Sequence, residues 1–147
     1  MGPSDLDGVM AIEEVSFPTP WSRGMFVEDF PRAFSDTLVA AGAEDEVLGY
    51  SVCWTIAGES HLLNIAVHPS RRGEGIGRAL LSEVIRRAAR AGSSLIFLEV
   101  RAGNDAAQRL YRSMGFTFRG IRKGYYTDTG EDAVILDREV RRSDAAG

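Results

Sequence analysis

The spacing of apolar residues predicts two helices at the start of the chain. The first begins at Ser4, which can form a capping box with Asp7, and its apolar face follows at Leu6, Val9, Ile12 and Val15. The proline-rich stretch 17–21 interrupts this pattern, because proline lacks an amide donor and restricts the residue before it. Ser22 then caps a second, short helix that Pro31 ends.

Apolar runs further along the chain predict strands and two more helices. Strands 37–41 and 47–56 flank an acidic turn, as in a hairpin, and a third strand covers 61–67. An amphipathic helix over 75–91 precedes the apolar run 95–98, which is typical of a strand buried on both faces. The remaining elements are a helix that Asn104 caps and Gly115 ends, and strands over 117–123 and 133–140.

A strand, a glycine-rich loop, a helix and a second strand follow one another between residues 61 and 100. Such a crossover places its two strands parallel, with a right-handed connection. Ligands of these units bind beyond the carboxyl ends of the strands. Here those ends carry the glycine-rich loop on the first strand and Glu99 on the second. The pattern therefore predicts an α/β fold with its site at this edge.

Length and composition narrow the class of protein. The 147 residues favour one domain over 1–140, and the polar segment 141–147 is expected to be disordered. A net charge of -4 disfavours direct nucleic-acid binding. Without an apolar run of the ~20 residues that a membrane helix needs, and without a signal-peptide pattern, the sequence favours the cytoplasm and no membrane partner. The sequence carries no signal for an oligomeric state.

Cysteine and histidine are too scarce for several kinds of site. Cys53 stands alone, which excludes an intramolecular disulfide and a thiolate cluster, and His61 and His68 lack the neighbours of a metal site. We therefore expect no metal. Cys53 lies within an apolar strand without a histidine base nearby in sequence, so a buried core residue is favoured over a nucleophile that forms a covalent intermediate.

The loop between residues 71 and 78 has the composition of a phosphate cradle. Its glycines let the backbone approach a ligand closely, the helix after it begins with free amides, and its arginines add donors. The dinucleotide motif requires a glycine where Arg78 stands, and the nucleoside-triphosphate motif requires Gly-Lys-Ser/Thr. The loop therefore matches neither of these two common phosphate-binding motifs. The alternative to a phosphate cradle is a glycine-rich turn that only tightens the loop and binds no ligand.

The segment from Arg72 to Gly77 resembles the Arg/Gln-x-x-Gly-x-Gly/Ala motif of the GNAT superfamily of N-acetyltransferases. Two further segments, 64–69 and 104–116, are similar to other motifs of that family. The resemblance implies an α/β (α+β) GNAT fold, with a mixed sheet of six to seven strands, about four helices, and a V-shaped splay between two parallel central strands. It also implies that acetyl-CoA is the cosubstrate and is held by Ile65, Ala66, Val67, Arg72, Gly73, Gly75, Ile76, Gly77, Arg78 and Asn104.

Within that superfamily the chain resembles the RimI-type ribosomal-protein-alanine N-acetyltransferases. The matching segments are 17–22, 64–67, 98–101, 107–111 and 122–133. This resemblance implies acetyl transfer to a protein N-terminus, with the alanine of a small-subunit ribosomal protein as acceptor. Family members have a strand before the first helix, whereas three residues precede Ser4 here, so that strand is expected to be missing or short. Its absence would expose a sheet edge.

The reaction requires a neutral amine, donors for the developing oxyanion and a proton for the leaving thiolate. A peptide α-amine, with a pKa of about 8, is partly neutral at pH 7, whereas a lysine amine at about 10.4 is not. In RimI-like proteins the residue matching Glu99 is the base, and its apolar strand would raise its pKa. Alternatively, Glu99 reaches solvent or pairs with Arg101. Amides of the strand 65–67, freed by a bulge, are candidates for holding the oxyanion, unless they belong to the ordinary strand ladder.

The residue matching the family's acid is Tyr111, which can protonate the departing sulfur. The alternative is a core aromatic with its hydroxyl paired. Trp21, Tyr125 and Tyr126 either form the walls of an acceptor groove or belong to a satellite core, and the resemblance favours the groove.

Two other functions stay open at this stage. One is an acetyltransferase for a small amine or a lysine side chain, and the other is a non-catalytic acyl-CoA-binding module. The joint presence of the candidate base, acid and helix cap counts against the second.

Overall fold

Six strands and four helices make up the computed structural model, which describes residues 1–146. The helices are α1 (Leu6–Ser16), α2 (Arg23–Asp29), α3 (Ile76–Arg90) and α4 (Asp105–Ser113). The strands are β1 (Ser35–Ala41), β2 (Val47–Ile56), β3 (Glu59–Val67), β4 (Leu95–Arg101), β5 (Thr117–Arg122) and β6 (Ala133–Glu139). Short 3₁₀ turns of three or four residues cover Pro3–Asp5, Pro69–Arg71 and Arg142–Ala145. The predicted mixed α/β architecture is confirmed.

All six strands belong to one sheet in the order β1-β2-β3-β4-β6-β5. Only the strands β3 and β4 pair in parallel, and they do so over three residues, from Glu59 opposite Leu95 to His61 opposite Phe97. Beyond His61 the two strands diverge, which confirms the predicted V-shaped splay. A bulge at Leu63 accompanies this divergence, since the register with β2 shifts there. The splay therefore opens a space between the carboxyl ends of β3 and β4.

The helices cover both faces of the sheet and create two cores. Helices α3 and α4 pack on one face around the fully buried side chains of Leu81, Ile96 and Leu136. Helices α1 and α2 pack on the other face around a second cluster that includes Ile12, Phe26 and Tyr50.

Strand β4 differs from the strand buried on both faces that its apolar run predicts. Ile96, Leu98 and Val100 are buried against α3 and α4, while Phe97 and Glu99 are only partly covered. The second face is open because β3 has splayed away from β4 at this level. That half-open face is where Glu99 lies.

Two of the three predicted helix caps form. The Ser22 hydroxyl accepts from the amide of Met25 at 3.2 Å, and the Asn104 side chain accepts from the amide of Ala107 at 3.1 Å. Each cap satisfies an amide that has no partner within its helix. The glycine at 115 that ends the α4 segment has a φ of 93°, in the left-handed region.

The predicted capping box of Ser4 and Asp7 is wrong. The chain forms a 3₁₀ turn first, and α1 begins after it. The Asp5 carboxylate accepts from the amide of Gly2 at 2.8 Å, and Asp7 forms an ion pair with Arg23 instead. A tighter turn stabilised by Asp5 therefore replaces the regular first turn of the helix.

The polar C-terminal segment is also more structured than predicted. The Arg138 guanidinium donates to both carboxylate oxygens of Asp144, at 3.0 and 3.1 Å, and the amide of Arg141 donates to the same carboxylate at 2.8 Å. These bonds hold the turn against the sheet and α3, so the expected disorder does not apply to residues 141–146. The last residue, Gly147, lies outside the described part of the chain.

Candidate active site

The loop before α3 has the geometry of an anion site. Gly73 and Gly75 have φ values of 81° and 85°, in the left-handed region that favours glycine. A Cβ added at either position would meet no heavy atom within 4 Å, so the space above the loop is open to a ligand. Gly77 lies in the first turn of α3, where a Cβ would come within 3.3 Å of Leu110. The first amides of α3 therefore face an open cleft.

This cleft has a volume of about 590 Å³ and lies between β3, the start of α3 and α4. We call it the cofactor cleft. All ten residues that the resemblance assigns to acetyl-CoA line it: Ile65, Ala66, Val67, Arg72, Gly73, Gly75, Ile76, Gly77, Arg78 and Asn104. The sequence assigned no cofactor-binding role to several further lining residues, which include Ser16, Phe17, Ala107 and Leu110. An open glycine-rich loop at one end and apolar walls at the other suit a molecule with a phosphorylated and an acyl end.

Two arginines of the loop, Arg72 and Arg78, make different contacts. Arg72 donates to the carbonyl of Val67 at 3.3 Å and so crosses the base of the loop. Arg78 donates to the Ser113 hydroxyl at 2.8 Å, which ties α3 to the end of α4. These contacts place two predicted donors beside the cleft, and their contact with a phosphate stays a prediction.

A second cavity, of about 760 Å³, is lined by both splayed strands, the proline-rich loop and the loop after β5. We call it the acceptor groove. Its lining includes both predicted catalytic side chains and all three predicted wall residues: Glu99, Tyr111, Trp21, Tyr125 and Tyr126. Tyr111 and Asn104 line both cavities, so the cofactor cleft and the acceptor groove meet there. The structure therefore brings together side chains that the sequence placed on four separate segments.

The three aromatic residues that line the acceptor groove also pack against other side chains. Trp21 packs on Phe26, with ring centroids 5.1 Å apart, and so it also extends the α1/α2 core. Tyr125 and Tyr126 meet edge to face at 5.1 Å, and Tyr125 is 44% exposed. Tyr126 lies under the guanidinium of Arg101, 4.0 Å from the ring centroid.

The loop that carries these tyrosines is held by an ionic network. Arg101 donates to both oxygens of Asp128, at 3.2 and 2.8 Å. The hydroxyl of Thr19, in the proline-rich loop opposite, donates to the same carboxylate at 3.2 Å. The two loops that border the acceptor groove are therefore linked across its mouth through Asp128.

Glu99 lies at the junction of the splayed strands, and its environment differs from the sequence-based expectation. Its carboxylate is 2.6 Å from Nε2 of His61, not paired with Arg101. Burial alone would raise the pKa of Glu99, but the hydrogen bond and charge of His61, together with the charge of Arg122, outweigh burial and hold the pKa below its usual value. The expectation of a raised pKa is therefore wrong, and the carboxylate is ionised at neutral pH.

Tyr111 is almost fully buried where the two cavities meet. Burial raises the pKa of its phenol, and the neighbouring Tyr126 adds to that shift. Its ring also packs on Phe116, with centroids 5.8 Å apart. The side chain is thus a core aromatic whose phenol keeps its proton at neutral pH, and its role as the acid stays a prediction.

Sequence reasoning missed a buried carboxylate beneath the acceptor groove. Glu13 is 1% exposed and accepts hydrogen bonds from the Tyr50 hydroxyl, the Asn64 amide at 3.0 Å and the backbone amide of Trp21 at 2.8 Å. These bonds connect α1, two strands and the proline-rich loop. A glutamate directly after the buried Ile12 of the apolar face was the signal that could have revealed it.

Removing this acceptor should destabilise the fold. We expect Glu13→Ala to lower the free energy of unfolding by about 3 kcal/mol, because each buried donor left without a partner costs about 1–3 kcal/mol. Glu14→Ala is the matched control, since Glu14 is the next residue of α1 and is exposed, and its effect should stay within about 0.5 kcal/mol. Urea unfolding measures both. Equal stabilities for the two variants would contradict the structural role of Glu13.

The remaining sequence predictions concern Cys53, metal sites and membrane-spanning segments. Cys53 is buried in β2, outside both cavities. Burial, and to a lesser extent Asp36, raises the pKa of its thiol to about 12, so it is a poor nucleophile. Among residues 1–146 no group of three or more metal-ligating side chains comes together. No helix in this part of the chain is long and apolar enough to span a membrane.

Comparison with known proteins places the chain in a family. The model of the acetyltransferase (GNAT) family matches residues 6–116. The ribosomal protein bS18-alanine N-acetyltransferase of Escherichia coli is 34% identical over 135 residues, which span 90% of each chain.

Two solved structures extend this likeness to the fold. The crystal structure of the ribosomal-protein-S18-alanine N-acetyltransferase from Escherichia coli has a TM-score of 0.86 and 32% identity, and the match covers 95% of this chain and 90% of that one. Ard1 from Thermoplasma volcanium has a TM-score of 0.87 and 26% identity over 96% and 95% of the two chains. The chain therefore belongs to the GNAT acetyltransferase family and is an acetyl-CoA-dependent N-acetyltransferase.

Proposed function

We propose that this enzyme acetylates the N-terminal α-amine of a protein, with the alanine of a small-subunit ribosomal protein as its acceptor. The observation that carries the proposal is the acceptor groove, which meets the cofactor cleft at Tyr111 and is bordered by two linked loops. A chain end can enter such a groove in extended form. The similarity to enzymes named for bS18 alanine acetylation supports the same acceptor. That acceptor requires the cytoplasmic location that the sequence favours.

The two ends of the cofactor cleft fit the cosubstrate. The open space above Gly73 and Gly75, together with the amides at the start of α3, suits the pyrophosphate of coenzyme A. Ile65, Ala66 and Val67 line the inner end toward the splay. When bound there, acetyl-CoA supplies the thioester whose carbonyl the acceptor amine attacks. Asn104 borders the same space and is also the cap of α4.

Glu99 is the base in this proposal. Its carboxylate lines the acceptor groove and is ionised, so it can take a proton from the incoming amine, directly or through water. Its low pKa makes it a modest base. An α-amine with a pKa of about 8 needs no stronger one, whereas a lysine amine at about 10.4 would.

Tyr111 is the proton donor. A buried phenol with a raised pKa keeps its proton at neutral pH, and the leaving thiolate, with a thiol pKa of about 8.5, needs one. Because this residue lines both cavities, it borders the space in which the leaving sulfur and the acceptor would meet. The phenolate that remains is reprotonated from solvent after the products leave.

The charge of the groove also favours a basic acceptor. Glu13, Glu99 and Asp128 line it, against Arg101, whose charge is matched by Asp128. The whole chain has a formal charge of -4. Ribosomal-protein termini are rich in basic residues, so electrostatic attraction would raise the association rate.

Acceptor preference tests this function. At equal concentrations, a peptide that begins with alanine should be acetylated faster than the same peptide with a blocked N-terminus and a free lysine. Tyr125→Ala should reduce that difference, because it removes one wall of the groove. Thiol release from acetyl-CoA measures each rate. Faster reaction of lysine peptides or polyamines would overturn the acceptor assignment, and no turnover with any amine would favour an acyl-CoA-binding module.

A further inference from the structure

His61 is the one histidine that touches the proposed catalytic machinery, and it lies outside both cavities. It is the last residue of β3 that pairs with β4, so its side chain stands at the base of the V where the strands begin to diverge. Glu99 is two residues beyond its partner Phe97 on the same face of the sheet. The imidazole therefore reaches Glu99 from behind, on the side away from the acceptor groove.

The orientation of the imidazole is fixed by its neighbour. Its ring stacks on that of Phe97, with centroids 4.4 Å apart and an angle of 14° between the planes. This stacking aims Nε2 at Oε2 of Glu99, 2.6 Å away. The side chains of His61 and Glu99 are 26% and 10% exposed, so solvent competes little for the bond.

We propose that His61 is a positioning residue for Glu99: by donating to Oε2 it holds the carboxylate so that Oε1 faces the acceptor groove. The inference rests on the base role proposed above for Glu99. A carboxylate at the end of a flexible side chain otherwise samples several rotamers, and only some of them direct an oxygen at the acceptor. The imidazole selects one of them without entering the groove itself.

Few other groups around the carboxylate can do this. Arg122 of β5 faces Glu99 as a charge, and Tyr126 of the following loop faces it from across the groove. On β6 the residue opposite Glu99 is Ile135, which is apolar. Among these neighbours, His61 is the one with a hydrogen bond to the carboxylate in the described structure.

Two substitutions separate positioning from simple packing. His61→Phe keeps a flat ring on Phe97 but removes the donor, whereas His61→Gln keeps an amide donor near the position of Nε2 and cannot titrate. We expect His61→Phe to lower kcat on the order of tenfold, because misorientation of a catalytic group by a fraction of an ångström already slows reactions strongly. His61→Gln should restore most of the rate.

The pH profile supplies a readout that a packing role would not move. The bond from His61 lowers the pKa of Glu99, so its loss raises that pKa. Protonation of the acceptor amine lowers kcat/KM below about pH 8 in every variant. The additional fall that protonation of Glu99 causes at lower pH should therefore begin at a higher pH in His61→Phe, while acetyl-CoA affinity by calorimetry stays the same. His68→Gln, which replaces the other histidine outside both cavities, should leave the profile unchanged.

The outcomes distinguish this inference from the proposed function. The double variant His61→Phe with Glu99→Gln should be no slower than Glu99→Gln alone, because residues that act as a unit are not additive. Wild-type turnover in Glu99→Gln would overturn the base role itself. Two results would overturn the positioning role alone. In the first, Glu99→Gln is slow while His61→Phe keeps the wild-type rate and pH profile. In the second, His61→Gln and His61→Phe lose turnover equally.

Discussion

Gly75→Val should weaken acetyl-CoA binding by about a hundredfold or more. A β-branched residue resists the left-handed φ of 85° at this position, so the loop must shift and its amides turn away from the pyrophosphate. The new side chain would also fill the open space above the loop. Loss of two charge-assisted hydrogen bonds, each about 1.5–3 kcal/mol, corresponds to that factor.

The other end of the same helix provides the matched control. Gly92 follows α3, has a φ of 80° and, like Gly75, has no heavy atom within 4 Å of an added Cβ. Gly92→Val thus imposes similar backbone strain away from the cofactor cleft. We expect both variants to lose similar stability in thermal unfolding, but only Gly75→Val to lose affinity in calorimetry. Unchanged acetyl-CoA affinity in a folded Gly75→Val protein would show that the loop does not bind the cosubstrate.

Glu99→Gln should lower turnover by about 10²–10⁴-fold, the range typical of a general base. Glutamine keeps the shape and can still contact His61, but it cannot accept a proton. Acetyl-CoA affinity should change little, because Glu99 lines the acceptor groove and not the cofactor cleft. Steady-state kinetics with an alanine-starting peptide, together with calorimetry, measures both quantities.

The pH dependence sharpens this test. Since the pKa of Glu99 is held below its usual value, the carboxylate stays ionised from pH 6 upward in the wild-type enzyme. Any fall in rate from pH 8 to pH 6 should then follow protonation of the acceptor amine, whose pKa is about 8. Glu59→Gln, an exposed carboxylate at the start of β3, is the control and should keep the wild-type rate. If Glu99→Gln kept wild-type turnover between pH 6 and 9, then solvent, and not Glu99, would take the proton from the acceptor amine.

Several features of this protein follow from the sequence because their causes are local. Ser22 and Asn104 cap helices with their own side chains, within three residues along the chain. The glycines at 73 and 75 adopt a backbone that other residues avoid. The crossover from β3 through α3 to β4 follows from strand order and chirality, so the position of the cofactor cleft could be predicted before the fold was known.

The predictions that failed involve side-chain pairs that the pattern of apolar residues does not show. Asp144 is ordered by Arg138, and that pairing exists only once β6 is in the sheet. At the start of α1, Asp7 pairs with Arg23 of the next helix, while the Asp5 carboxylate accepts from the amide of Gly2 in the 3₁₀ turn. Local patterns cannot show such pairs, since many charged residues in a chain of this size have equally plausible partners.

The protonation state of Glu99 also depends on a contact that the sequence pattern does not show. From the sequence, Glu99 is a carboxylate in an apolar strand, and burial alone would raise its pKa. In the fold the parallel pairing of β3 with β4 brings His61 to it across 38 positions of the chain, and the sign of the shift reverses. The same applies to Glu13, whose three donors come from segments 8 to 51 residues away. The sequence thus determined which groups are available for catalysis, whereas tertiary structure determined their protonation and orientation, because hydrogen bonds and charges act through space over a few ångströms.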